Sequence, residues 1–195
     1  MKTLRPDLQC VASWIPAGAR VLDLGCGDGE LLAWLARAKQ VKGYGVEIDV
    51  DKVIACVGNG VDVIQSDLES GLATFESNSF DFVVLSLTVQ AMRNVESILK
   101  EMLRVGKTGI VTFPNFGYWE NRWQLLLGRM PVSETIPYEW YNTPNIHLCT
   151  LGDFDRLLGK LGMQIEEQQV MHQGEKVEFM PNLLGSLALV KFGQR

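Results

Sequence analysis

Two periods alternate along the chain. Short apolar, β-branched-rich runs recur at Ala19–Leu24 (ARVLDL), Gly43–Ile48 (GYGVEI), Val61–Ser66 (VDVIQS), Phe80–Leu87 (FDFVVLSL) and Gly109–Phe113 (GIVTF). Each predicts a strand. The fourth is nearly continuous in apolar residues, as expected of a central strand covered on both faces. Helical spacing falls between them, over Glu30–Ala38 and near Asp51–Val57. Val95, Ile98, Leu99, Met102 and Leu103 then recur at i, i+3, i+4, i+7 and i+8, one apolar helix stripe. Pro114 is expected to stop the fifth strand. Strands alternating with helices predict an α/β fold with a parallel sheet and right-handed crossovers.

The tail has a different rhythm. Thr150 with Asp153 three residues on reads as a capping box. The stripe Phe154, Leu157, Leu158 and Leu161 continues that helix until Gly162. Met163–Met171 and Leu184–Phe192 follow with no helix expected between them, so these two strands should run antiparallel. The expected sheet has seven strands: five parallel, then a sixth, then a seventh inserted against the grain.

Residues 115–149 interrupt the pattern. They hold three of the five tryptophans (Trp119, Trp123, Trp140) and three of the four tyrosines (Tyr118, Tyr138, Tyr141). Trp119, Trp123, Leu126 and Leu127 fit one helical face before Gly128 and Pro131. A connection of this length usually carries function or secondary structure of its own. The segment reads as a lid or an interface.

The most informative chemistry lies in Val21–Glu30 (VLDLGCGDGE), between a strand and a helix. Glycines there permit a sharp turn and let backbone N–H groups approach a ligand. The dinucleotide fingerprint needs a third glycine where this chain has Glu30. Asp23, just before the loop, would repel a pyrophosphate and favour a cation. Asp28 is equally a helix cap. Glu47, ending the second strand, is placed to accept from both hydroxyls of a ribose; otherwise it is a solvent-facing acid. Asp67 could accept from an adenine amino group with Leu68 packed on the ring, or it caps a turn. Gly106-Lys107-Thr108 resembles the end of a phosphate-binding loop, but position 101 is Glu101 and helix and strand come in the wrong order. A helix–strand turn is expected there.

Charge and composition narrow the field. The chain has 195 residues, 47% apolar and 21% charged, with a net charge of -5. That is one globular domain, here residues 1–195, without the basic surface that nucleic acid requires. The apolar run Phe82–Val89, broken by Ser86 and Thr88, is too short to span a bilayer, and MKTLRPDLQC lacks the apolar core of a secretory signal. Four separated cysteines (Cys10, Cys26, Cys56, Cys149) read as reduced, mostly buried residues of a cytoplasmic protein, with no metal site expected.

VLDLGCGDGE, GVEID, QSDLE and FDFVVLSLTVQ, in this order, resemble the class I S-adenosylmethionine-dependent methyltransferases over residues 10–113. The resemblance implies a Rossmann-like fold, strand order 3-2-1-4-5-7-6 and strand 7 antiparallel. It implies that Asp23 and the loop Gly25, Cys26, Gly27 and Gly29 receive the methionine moiety of S-adenosylmethionine or S-adenosylhomocysteine. Glu47 with Ile48 would meet the ribose, Asp67 with Leu68 the adenine, and Ser86 with Leu87 would lie beside the transferable methyl. The strand ending LSLTVQ lacks the Asn/Asp-Pro-Pro-aromatic motif of enzymes that methylate exocyclic or amide nitrogens. Residues 86–154, from SLTVQAMRNV to NIHLCTLGDF, are similar to the MetW family of methionine-biosynthesis proteins, and that likeness spans essentially the whole chain. It implies a homoserine O-acyltransferase as partner, in forming O-acylhomoserine. The alternative is an autonomous methyltransferase acting on a small molecule. A nicotinamide-dependent oxidoreductase is disfavoured by Glu30 and Asp23. No residue has a clear catalytic role. His147 could face the pocket or be packed, and His172 reads as structural.

Overall fold

The computed structural model describes residues 4–195. Five parallel strands form first: β1 (Arg20–Leu24), β2 (Lys42–Glu47), β3 (Asp62–Gln65), β4 (Phe80–Ser86) and β5 (Gly106–Pro114). They are joined by α2 (Glu30–Lys39), α3 (Val50–Gly58) and α4 (Val95–Val105), with α1 (Pro6–Trp14) ahead of them. After α5 (Trp119–Leu126) and α6 (Leu151–Lys160) come β6 (Met163–His172), β7 (Glu175–Lys176), α7 (Pro181–Leu184) and β8 (Leu187–Gln194). The sheet order is β3-β2-β1-β4-β5-β8-β6-β7. β8 is antiparallel to both β5 and β6. This is the expected Rossmann-like arrangement with β8 in the place of the seventh strand.

Period-two alternation sends neighbouring side chains to opposite faces. On β1, Val21 joins the core under α1 and α2, whereas Leu22 and Leu24 join the core under α4 and α6. β4 and β5 divide likewise, with Val84 and Ile110 on the first side and Val83, Leu85, Val111 and Phe113 on the second. Both faces are therefore covered, as the apolar run of β4 predicts. The α4 stripe buries Ile98, Leu99, Met102 and Leu103; truncating one such side chain to alanine typically costs about 2–5 kcal/mol. The Thr150/Asp153 capping box forms, with Asp153 N–H donating to Thr150 Oγ1 at 3.3 Å and Thr150 N–H to Asp153 Oδ2 at 3.2 Å.

Several expectations need correction. The sheet has eight strands, because β6 turns back at Gln173-Gly174 to form β7 with only two residue pairs. A four-residue helix, α7, separates the last strands, so β8 starts at Leu187 rather than Leu184. β5 starts at Gly106 directly after α4, with no intervening turn, and includes Pro114, paired with Leu187. Gly106 admits no side chain because an added Cβ would meet Val83 Cγ2 at 2.5 Å. The cysteines are free, but only Cys56 is buried, and Cys26 and Cys56 lie 3.6 Å apart, Sγ to Sγ. Among the described residues no helix is long and apolar enough to cross a membrane.

Candidate functional site

The strand order reverses between β1 and β4, and the crevice at such a switch point is where open α/β sheets bind ligands. The loop after β1 passes through Gly25 (φ 68°), Gly27 (φ 59°) and Gly29 (φ 77°), a left-handed backbone at every second residue. Gly25 is doubly constrained, since a Cβ there would lie 2.7 Å from Thr88 Oγ1. Gly25 and Cys26 N–H groups donate to Val46 O at 2.8 and 3.1 Å, tying the loop to β2. Asp28 Oδ1 accepts from Glu30 N–H at 3.2 Å, so it does help to start α2, from the position before the N-cap Gly29.

Glu47 is 5% exposed. Its Oε2 accepts Gly27 N–H at 2.9 Å, and its Oε1 accepts Ile48 and Asp49 N–H at 2.9 and 3.1 Å. The carboxylate thus clamps the glycine loop to the loop after β2. Three of roughly four acceptor positions are used internally, which leaves about one for a ligand hydroxyl. It is not the solvent-facing acid of the plainer reading. Asp67 caps the 3-10 turn Leu68–Ser70 through Oδ1, which accepts Glu69 N–H at 2.9 Å. Its capping role is therefore real, and it also lines the cleft.

Two adjoining cavities of about 260 Å³ each open here and share Gly25, Lys52, Leu87 and Thr88 as walls. One is lined by Asp23, Cys26, Gly27 and Ser86, the other by Glu47, Ile48, Asp67 and Leu68. Of the eleven residues singled out from sequence, only Gly29 does not line the cleft. It sits behind it, where a Cβ would meet Cys56 Sγ and Val61 Cγ2 at 3.0 Å. Cys26 points its sulfur across Gly45 toward Cys56, so it packs more than it presents. Burial, first, and the charge of Glu47 push the Asp23 carboxyl up to about 7. Its side chain makes no hydrogen bond among the described residues and is 3% exposed.

Sequence reading missed Lys52, Thr88, Arg5 and Leu8 as cleft residues. Lys52 makes no ion pair among the described residues, and only the crossover geometry of α3 brings it here. Leu87 lines both halves of the cleft and is strained: it adopts φ 50°, rare for a branched side chain, with its N–H held by Thr112 O and Oγ1, each at 3.0 Å. His147 lies elsewhere. Its Nε2 is 3.4 Å from Arg93 O, beside a separate cavity between α4 and α6. His172 stacks on Tyr118 at 5.0 Å, with Nδ1 3.1 Å from Ser186 Oγ, a packed role.

The site is therefore acid-rich, with Ile48, Leu68 and Met92 giving one half an apolar wall, while the glycine-loop N–H groups of Gly25, Cys26, Gly27 and Gly29 are bonded within the protein. Chemically it suits a molecule carrying a positive charge, a hydroxyl for the remaining acceptor position of Glu47, and an apolar part. A family model described as methionine biosynthesis protein MetW matches residues 5–192. The bifunctional methionine biosynthesis protein MetXA/MetW of Rhodopirellula baltica is 39% identical over 204 residues, which cover 97% of this chain and 33% of that protein. The chain thus spans about a third of that relative's length. A ubiquinone/menaquinone biosynthesis C-methyltransferase UbiE of Stenotrophomonas maltophilia is 31% identical over 105 residues, 49% of this chain and 41% of that one. An S-adenosylmethionine-dependent methyltransferase from Mesorhizobium loti superposes with a TM-score of 0.71 at 16% identity, covering 97% of this chain and 98% of that chain. A methyltransferase of the same dependence from Thermotoga maritima gives 0.70 at 20% identity, covering 97% and 88%. These two show the fold.

Proposed function

This chain belongs to the MetW family of methionine biosynthesis proteins, and from that membership we propose that it binds S-adenosylmethionine or S-adenosylhomocysteine and acts with a homoserine O-acyltransferase to form O-acylhomoserine. One observation carries the ligand reading: a buried carboxylate, Asp23, without a hydrogen-bond partner among the described residues, sits at the mouth of a glycine loop in an acidic cleft. A buried unpaired acid calls for a cation or a proton. The ammonium of the methionine moiety supplies the cation. Lys52 would meet its carboxylate, the free acceptor position of Glu47 a ribose hydroxyl, and Asp67 with Leu68 and Ile48 the adenine. When bound, the sulfonium form supplies an electrophilic methyl group. The chain's own residues orient the molecule and exclude water, and no base among them has been assigned to an acceptor.

The partner reading draws on two further supports. A relative joins MetXA and MetW in one polypeptide, an arrangement that holds two modules at high effective concentration. Within residues 115–149, the indoles of α5 are not covered by the chain's own sheet. Trp119 is 46% exposed, Trp123 55% and Leu126 75%. Tryptophans left in water at this level are the kind of side chain that anchors interfaces. We therefore read the segment as a docking surface rather than a self-packed lid, on a single domain.

Calorimetry with S-adenosylmethionine and S-adenosylhomocysteine tests the ligand. Saturable binding that weakens by about one to two decades in the Asp23→Asn variant supports it, and no binding of either overturns it. Transfer of a radiolabelled methyl group to a small metabolite without the acyltransferase would favour the autonomous-enzyme alternative.

A further inference from the structure

We propose that, on the reading that S-adenosylmethionine or S-adenosylhomocysteine fills the cleft, its presence there is transmitted to residues 115–149 through the turn after β4, with Gln90 as the link. The docking surface is then regulated by the ligand. The turn has two sides. Leu87, Thr88, Ala91 and Met92 line the cleft. Val89, Gln90 and Arg93 line the separate cavity of about 440 Å³ between α4 and α6, together with His147 and Cys149. One short stretch thus walls both spaces.

Leu87 is the receiver. It belongs to both halves of the cleft, so a ligand that spans them lies against it. Its left-handed backbone is gripped at both peptide groups: Thr112 holds the N–H, and Gln90 Nε2 donates to Leu87 O at 2.7 Å. A branched residue stays in that region only where its surroundings over-determine it, and such residues gather at ligand clamps and switches. Gln90 carries a second local cost, since its Oε1 is buried and accepts no hydrogen bond. Two such costs in one turn bring a second arrangement close in energy. The cavity behind Gln90 gives the turn room to take it.

The same glutamine holds the aromatic segment. Gln90 O accepts the N–H groups of Ile146 and His147 at 2.8 and 3.0 Å. Residues 115–149 form a closed loop, because Asn115 and Cys149 bridge at its neck and Phe116 N–H donates to Cys149 O at 3.0 Å. Gln90 therefore grips one side of the neck, and Thr112, which holds Leu87, lies three residues before the other. From the neck the link reaches α5 through Asn115. Its Oδ1 accepts Gly117 N–H at 3.0 Å and its O accepts Asn121 Nδ2 at 3.3 Å, just where Trp119 and Trp123 begin their helix. A ligand that shifts Leu87 shifts the neck, and a partner that grips the loop must in return change ligand affinity by the same factor.

The test is amide hydrogen exchange of the full chain with and without S-adenosylhomocysteine, alongside calorimetry, and it needs no partner. The variant is Gln90→Met, which keeps the side-chain length, removes the donor to Leu87 O and leaves the backbone carbonyl that Ile146 and His147 use. In the unsubstituted chain the ligand should change exchange at Ile146 and His147 by about fivefold or more, the low end of usual couplings between sites. Gln90→Met should bind with a Kd within about threefold of the original, while exchange at the two amides no longer responds to ligand. A merely structural role for Gln90 would shift exchange equally in both states and keep the response. That result, or an unsubstituted chain that binds the ligand with no change at these amides, overturns the proposal. Should Gln90→Met fail to fold, Gln90→Leu takes its place under the same criteria. Absence of S-adenosylhomocysteine binding to the unsubstituted chain is a separate result: calorimetry shows it directly, and it removes the ligand reading and this coupling together.

Discussion

Replacing Asp23 by asparagine should make the unliganded protein more stable and its ligand affinity worse. The carboxyl is buried beside Glu47 and is pushed up from 3.8 to about 7. Each pKa unit corresponds to about 1.4 kcal/mol, so the ionised form carries a penalty of up to about 4 kcal/mol. The sign follows from linkage. Between these two values the folded state keeps a proton that the unfolded chain has released. Stability from this group is therefore full below about 3.8, falls as pH rises toward 7, and is level above. Asp23→Asn removes that fall, and its unpartnered amide replaces an equally unpartnered protonated carboxyl, so the two burial costs roughly cancel. For a chain of this size each kcal/mol moves Tm by about 2–4 °C. Scanning calorimetry should show Tm up by several degrees at pH 8, with little change near pH 4. Affinity for S-adenosylhomocysteine should drop by about one to two decades, as a charge-assisted hydrogen bond is lost. An equal Tm offset at both pH values, or an unchanged Kd, would refute the reasoning.

Glu47→Ala removes three backbone-to-carboxylate hydrogen bonds as well as a ligand contact, so ligand affinity should fall at least about tenfold and Tm should fall with it. Calorimetry and a melt on the same sample check both, and an unchanged Kd removes Glu47 from the site. Cys26→Ser should keep the fold and most of the affinity, because its sulfur packs against Cys56 and acts on no substrate. Loss of partner activation with ligand affinity intact would show that reading to be wrong. Trp119→Ala with Trp123→Ala should leave Tm nearly unchanged, as exposed substitutions usually stay within about 0.5 kcal/mol. Pull-down of the acyltransferase should fail with that variant. A folded double variant that still binds and activates the partner eliminates these two residues as the anchor.

The succession of strands and helices along the chain was legible because the periods are long enough to read: β4 is apolar on both faces and α4 shows two turns of one stripe, whereas the order within the sheet came from the resemblance. The elements that escaped are short or depend on distant partners. β7 has two residues and α7 four, below the length at which any period shows. α1 buries Leu8, Val11 and Ala12 along one face, with Leu4 and Ile15 buried just outside its ends and proline at its start. That signal was present but lay ahead of the first strand, outside the alternation that organised the reading. At the site, the strand-end acids and the glycine loop together with the methyltransferase resemblance named ten residues that line one cleft. They could not show that Glu47 spends most of its acceptor capacity on the protein itself, since Gly27 reaches it only once β1 and β2 are side by side. Lys52 and Thr88 were invisible for the same reason.

The partnership is the central claim, and acylation of homoserine measures it most directly. The homoserine O-acyltransferase of the same host should be assayed alone and with increasing amounts of this chain, with S-adenosylmethionine present and absent. The account predicts a rate that rises and saturates as the chain is added, tracking formation of a complex. An acylation rate indifferent to the chain at every concentration, with no complex formed, would contradict it.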